Sequence, residues 1–255
     1  MIRLKDRDEI EAMAEGGQIL AEVLQQVVEA AKPGVTTRDL DLLARDLLKE
    51  RGVKPSFLKY EGFPAALCVS VNNNVVHGMP REEALKEGDL VGLDLGLIYE
   101  GLYLDHARTV AVGEISGDKK KLLDVTRKAL EIGISKAQAG NRIGDIGAAI
   151  QKYVEGASLG VVKQLVGHGV GYAVHEEPKV PNFGEPGTGP VMKPGLVIAI
   201  EPMVTIGRPE VQTANDGWTV ETVDGSLAAH EEHTVAVTEA GPRILTGSSV
   251  YDSRT

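Results

Sequence analysis

With 255 residues, 42% of them hydrophobic and 25% charged, the chain can bury a sizeable core and has the composition of an ordinary globular protein. A net charge of −10 argues against nucleic acid, sequence-specific recognition included, as the main ligand, because phosphate binding needs a basic face. Cys68 is the only cysteine, which excludes an internal disulfide and a cysteine-built zinc site. The charged N-terminus lacks a signal-peptide core, and no apolar run approaches the ~18 residues of a membrane span, so a cytoplasmic protein is expected.

Residues 8–31 carry a helical apolar pattern through Ile10, Met13, Leu20, Val23, Leu24 and Val27, ended by Lys32-Pro33-Gly34. Thr36 or Thr37 caps a second helix with Leu40, Leu43, Leu47 and Leu48 on one face, closed by Gly52. Residues 65–76 read as a strand. Residues 90–111, LVGLDLGLIYEGLYLDHARTVA, read as two strands joined at Glu100-Gly101. A third helix starts at Ser116 or Asp118 and ends near Gly140, and a fourth runs from about Ile143 to Gly156. Short strand-like runs rich in Gly and Pro follow at 161–174, 195–206, 217–223 and 230–238. No low-complexity linker divides the chain.

The sequence echoes itself. AKPGVTTRDLDLLARDLL (31–48) resembles AQAGNRIGDIGAAIQKYV (137–154), 106 residues on, and LKEGDLVGLD (85–94) resembles MKPGLVIAIE (192–201), 107 residues on. The second match sets Asp94 opposite Glu201. Two matches at nearly equal separation predict two related halves, each giving helices to one face of a central antiparallel sheet, with matched acids meeting near a pseudo-two-fold axis.

The acids sit in unexpected places. Asp is a poor strand former, and a buried carboxylate is costly unless paired or bound to a cation. With the turn centred on Glu100-Gly101, Asp94 faces Ala107 and Gly96 faces Asp105, so both aspartates share one face as diagonal neighbours, able to grip one or two cations. An odd-length turn would put them on opposite faces, and a merely solvated face is the alternative. Glu201 ends an otherwise apolar run, with Pro202 behind it. Glu232 opens another run, and alternation alone does not say whether it or Glu231 points inward. His168 lies between glycines in VGHGVG, His175 follows in AVHEEP, and His77 sits in NNNVVHGMP. His106 and His233 point away from the acids' face, and His230, two residues before Glu232, is placed to lie near it.

From the start to about Thr246 the chain resembles the type I methionine aminopeptidases. The segments that carry the resemblance are AAKPGVTTRDLD, NNNVVHGMP, Asp94 and Asp105 with ten residues between them, VGHGVGYAVHEEP, VIAIEPMV and DGWTVETVDGSLAAHEEHTVAVTE. It implies an α+β pita-bread (creatinase/aminopeptidase) fold and a single catalytic domain over 1–255, made of two halves with no N-terminal extension domain. It implies two divalent ions, Co, Mn, Fe or Zn, held by Asp94, Asp105, His168, Glu201 and Glu232, with Asp105 and Glu232 shared. Removal of the N-terminal methionine from nascent proteins with a small second residue, by two-metal activation of a bridging water, would follow. Glu201 would be the general base, His175 would steady the scissile carbonyl, and His77 would position the next peptide unit. Tyr60, Phe63, Cys68 and Trp218 would line the methionine pocket, and the loop at Asn72 would hold a monovalent cation. A monomer in transient contact with the ribosome is the implied working state.

Three alternatives stand beside this. A peptidase of the same fold cutting Xaa-Pro bonds usually carries a long N-terminal domain, for which the early His77 leaves no room, and the insertion of type II relatives does not fit the 32 residues between His168 and Glu201. A non-catalytic peptide-binding relative would have lost metal ligands. A stabilising calcium site would not include an imidazole.

Overall fold

A computed structural model describes residues 1–247. Four helices, α1 (Arg7–Ala30), α2 (Thr37–Glu50), α3 (Asp118–Lys136) and α4 (Ile143–Gly156), pack against a nine-stranded antiparallel sheet. At its centre lie the hairpin Leu90–Tyr99 and Leu102–Ala111, then Glu232–Thr238, Val197–Ile200 and Gly167–Gly169, each bonded to the next. The hairpin register is the expected one: Asp94 faces Ala107, Gly96 faces Asp105 and Ile98 faces Tyr103.

Alternation explains how aspartates live in these strands. Leu93, Leu95 and Leu97 are fully buried in the cluster that includes Leu20 and Leu24 of α1, and each buried leucine stabilises the fold by about 2 kcal/mol. Asp94 and Gly96, one residue out of phase, face the opposite side of the sheet. One face is thus covered by helices, and the other is left free to carry the acids.

α1 contains Gly16-Gly17 in its middle, which costs a helix about 1 kcal/mol per glycine. Close approach accounts for the pair. A Cβ on Gly16 would stand 2.6 Å from the Cβ of Tyr99, and one on Gly17 would stand 2.1 Å from the carbonyl oxygen of Leu245.

The internal echo is repeated in three dimensions. α2 and α4 have the same length and begin and end 106 residues apart, and in each an aspartate of the first turn accepts from the N–H of the residue before the helix, Asp39 from Thr36 and Asp145 from Arg142. Gly34 and Gly140 turn the chain at φ +90° and +91°, and Gly88 and Gly195 at +85° and +92°. Isolated bridges join Thr36 to Ala84 and Arg142 to Val191.

Some elements differ from the sequence reading. The strand expected over 65–76 is two, Leu67–Val71 and Asn74–Val76, separated by a turn in which Asn72 has φ +57°. The run 161–174 supplies only Gly160–Val161 and Gly167–Gly169, and a separate strand, Glu176–Val180, follows His175. α3 stops at Lys136, four residues before Gly140. Among the described residues no helix is long and apolar enough to cross a membrane.

Candidate active site

The sheet register assembles the acids. Asp94 pairs with Ala107, and Ala107 pairs on its other side with Glu232. Glu232 neighbours His233, which pairs with Ile200, so Glu201 continues the same row. Asp105 is two residues from Ala107, and His168 pairs with Ala199, two residues from Glu201. A period of two puts all five on one face, with the small Ala107 leaving room between them. Glu232, not Glu231, is the inward residue of its pair, although both are buried.

Backbone contacts fix these positions. Strands Leu102–Ala111 and Glu232–Thr238 pair directly only at Glu232–Ala107 and His233–His106. Beyond them the Thr234 hydroxyl accepts from the Asp105 N–H at 3.1 Å and donates to the Asp105 carbonyl at 2.8 Å. The Asn182 amide donates to the Glu201 carbonyl at 2.9 Å. Below the acids His106 stacks on His233 at 4.6 Å and donates from Nδ1 to the Glu232 carbonyl at 2.6 Å, as expected of rings pointing the other way.

The electrostatics are those of a crowded anionic pocket. Burial, then repulsion from Asp94 and Glu201, pushes Asp105 well above the usual carboxylate range. Burial, then Asp105, Glu201 and Asp94, does the same to Glu232. Burial lifts Asp94 to about 6, against a downward pull from His230. Burial also lifts Glu201, but contact with His230 and the charges of His168, His230 and His77 outweigh it and hold that carboxyl below its usual range.

Asp94 Oδ1, Asp105 Oδ1, Glu232 Oε1 and His230 Nε2 are buried without a hydrogen-bond partner. Leaving such groups unmet is costly. Donor atoms of Asp105, His168 and Glu232 lie within 4.8 Å of one another, as do those of Asp94, His230 and Glu232. The His168 Nδ1 donates to the Gly169 carbonyl at 2.9 Å, which leaves the Nε2 lone pair facing Glu201 at 3.6 Å. Carboxylates with one or two imidazoles suit a first-row divalent ion, so the residues present fit a metal centre.

The cleft over this cluster is lined by every residue expected from the sequence: His77, Asp94, Asp105, His168, His175, Glu201 and Glu232, with Tyr60, Phe63, Cys68 and Trp218. Tyr60 Oη lies 3.1 Å from Nδ1 of His175, whose ring meets that of His168 edge-on at 4.4 Å. Burial, then His168, lowers His175 to about 4, so its ring is neutral near pH 7. Phe63 meets Trp218 edge-on at 5.2 Å, and Phe57, Cys68 and Val174 close the apolar cluster beneath them. Burial raises the Cys68 thiol well above its usual range, so it serves as an apolar wall. His77 stands at the rim with φ +56°, and Gly78 lets the next turn press on Val69, where a Cβ would stand 2.1 Å from the carbonyl oxygen. The Asn72 side chain donates to Asp89 and accepts from the Leu90 N–H.

Phe57 and Glu61 also line the cleft and were not singled out by sequence. They sit around a tight turn in which Lys59 and Glu61 take φ +69° and +49°, a geometry without a strong sequence signature here. His230 is nearer the acids than its place in the sequence alone could show, 3.4 Å from Glu201 and 3.8 Å from Glu232.

Comparison with known proteins gives the family. Residues 11–239 match metallopeptidase family M24. The methionine aminopeptidase of Clostridium acetobutylicum is 51% identical over 96% of this chain and 99% of its own length, and methionine aminopeptidase 1 of Bacillus subtilis is 47% identical over the same shares. The crystal structure of the Thermotoga maritima methionine aminopeptidase superposes with a TM-score of 0.95 at 46% identity, covering 97% of this chain and 100% of that one. The prolidase of Pyrococcus furiosus, 22% identical with a TM-score of 0.78, covers 96% of this chain and 66% of its own, and shares the fold alone. The pita-bread sheet, the paired halves and the matched length together make this chain a member of metallopeptidase family M24, within its type I methionine aminopeptidases.

Proposed function

We propose that this protein removes the initiator methionine from newly made polypeptides, favouring those with a small second residue. One observation carries the reading: four carboxylates and an imidazole, all side chains able to ligate a metal, converge in a buried cleft with an apolar pocket beside them. Asp94, Asp105, His168, Glu201 and Glu232 would hold two divalent ions, Co, Mn, Fe or Zn, with Asp105 and Glu232 shared. When bound, such ions acidify water and polarise a carbonyl at neutral pH.

The chain's own groups supply the rest. Glu201, held below its usual range, is a carboxylate at pH 7 and can take a proton from the attacking water and pass it to the departing amine. With the Tyr60 hydroxyl donating to Nδ1 of His175, the ring proton sits on Nε2, free to donate to the oxygen that gains charge as the carbonyl is attacked. His77, at the rim, orients the second residue. Tyr60, Phe63, Cys68 and Trp218 take the methionine side chain. The substrate's free α-amine would be held at this same centre, which confines cutting to the first residue. A monovalent cation at the Asn72 loop belongs to the same reading through family resemblance. So do a single catalytic domain, a monomeric state, work in the cytoplasm and a passing contact with the ribosome.

The test is a peptide mixture. Metal-stripped protein, refilled separately with each of the four ions, is offered Met-Ala-Ser, Met-Lys-Ser, Leu-Ala-Ser and Ala-Pro-Ser, and mass spectrometry reports the residue lost. Loss of Met from Met-Ala-Ser alone is the expected result. Loss of Ala from Ala-Pro-Ser would move the protein to the proline-specific peptidases.

A further inference from the structure

The five ligands above put one imidazole, His168, in a centre proposed to hold two ions. A second imidazole lies in the same cluster. His230 is 4% exposed, and its Nε2 is buried with no hydrogen-bond partner. That atom is 3.8 Å from Glu232 Oε2 and shares a 4.8 Å neighbourhood with donor atoms of Asp94 and Glu232.

Two features say what this atom is for. The first is spacing. Donors about 2.1 Å from one ion stand roughly 3 to 4 Å apart, according to the angle between them. The contact of His230 Nε2 with Glu232 at 3.8 Å falls in that range. A direct charge-assisted hydrogen bond to a carboxylate is about 2.7–2.9 Å. The second is the antiparallel pairing of the two strands. Thr109 holds His230 as Thr234 holds Asp105. Its hydroxyl accepts from the His230 N–H at 2.9 Å and donates to the His230 carbonyl at 2.7 Å. Residues 105 and 109 precede 230 and 234 by the same 125 positions, as Ala107 precedes its sheet partner Glu232. About the Ala107–Glu232 pair, His230 therefore lies on its strand where Asp105 lies on the other, both on the face that carries Glu232.

We propose that His230 ligates, through Nε2, the divalent ion on the Asp94 side of the centre, so that each of the two ions takes one imidazole. This rests on the metal reading above and adds to its ligand set. An imidazole in place of an oxygen donor shifts that position's preference away from Mg²⁺ or Ca²⁺ and towards Fe²⁺, Co²⁺ or Zn²⁺.

The test counts imidazoles without using activity. Full-length protein is stripped and loaded with Co²⁺ to one and two equivalents, and proton NMR records the exchangeable ring N–H signals shifted by the paramagnetic ion. Two such signals are expected in the wild-type two-ion form and one in His230→Gln. Calorimetry on His230→Gln should show one of the two affinities weakened at least about tenfold. One signal in the wild-type protein overturns the assignment, and the count needs no variant to fold. Unchanged affinities in His230→Gln, with an altered pH–kcat profile, would also overturn it and make His230 a hydrogen-bond partner of Glu201. Two ions bound with one shifted ring signal would leave the metal centre standing and remove only His230, whereas wild-type protein that takes up no Co²⁺ would remove both.

Discussion

Asp94→Asn isolates the conflict between stability and function in the cleft. Burial raises the Asp94 carboxyl from its ordinary 3.8 to about 6, with Glu201 adding repulsion and His230 opposing it. A folded-state pKa above the unfolded one means that the metal-free fold holds this proton more tightly than the open chain does. The associated stability is fully present below about pH 4 and is lost as pH rises through about 6. A two-unit rise corresponds to at most about 3 kcal/mol by pH 8. Asn keeps the size and removes the ionisation, so the variant should match its parent near pH 4 and exceed it at pH 8. For a chain of this length that is a rise in Tm of up to roughly 6–12 °C. The assay is thermal unfolding in chelator from pH 4 to 8, repeated with Mn²⁺. With Mn²⁺ the parent should gain stability and the variant gain much less. A metal-free parent whose Tm does not fall between pH 5 and 8, or a variant no more stable than its parent at pH 8, would refute the electrostatic account.

Other substitutions probe other parts. Glu201→Gln should fold and lose at least about 100-fold in kcat, and near-normal turnover would remove Glu201 from proton transfer. His175→Ala should lower kcat about 100-fold or more with little change in Tm. Because His175 has a pKa of about 4, the acid limb of the wild-type pH–rate profile should not owe a step near pH 6.5 to this ring. Trp218→Ala removes the edge-on partner of Phe63 and should raise KM for methionyl peptides about tenfold, or 1.4 kcal/mol, measured by steady-state kinetics. Gly17→Ala drives a Cβ into the Leu245 carbonyl and should cost about 1–3 kcal/mol in denaturant unfolding, with the metal affinities unchanged.

Much of this was legible because strands alternate. Once the turn at Glu100-Gly101 was fixed, the shared face of Asp94 and Asp105 followed, and the pairing bears it out. The repeat at 106 residues was visible as text and proved to be matching helices, caps and turns. What alternation could not decide was the choice between Glu231 and Glu232, since both are buried and only the pairing with Ala107 separates them. Tertiary contacts also set what the glycine-rich stretch around His168 would become, because a strand three residues long has no pattern of its own. Phe57 and Glu61 reach the cleft through a left-handed turn that propensity does not announce. The proximity of His230 to Glu201 arises where separate strands meet, and no spacing within one strand encodes it.

The cleft is proposed to act through divalent metal on an N-terminal methionine. The most direct measurement is the initial rate of Met-Ala-Ser cleavage as Mn²⁺ or Co²⁺ is added back to stripped protein, with bound metal determined on the same samples. No cleavage is expected in chelator, with a rise as the first ions bind and saturation at no more than two per chain. Cleavage that persists in chelator with no bound metal, or two tightly held ions and no loss of methionine, would contradict it.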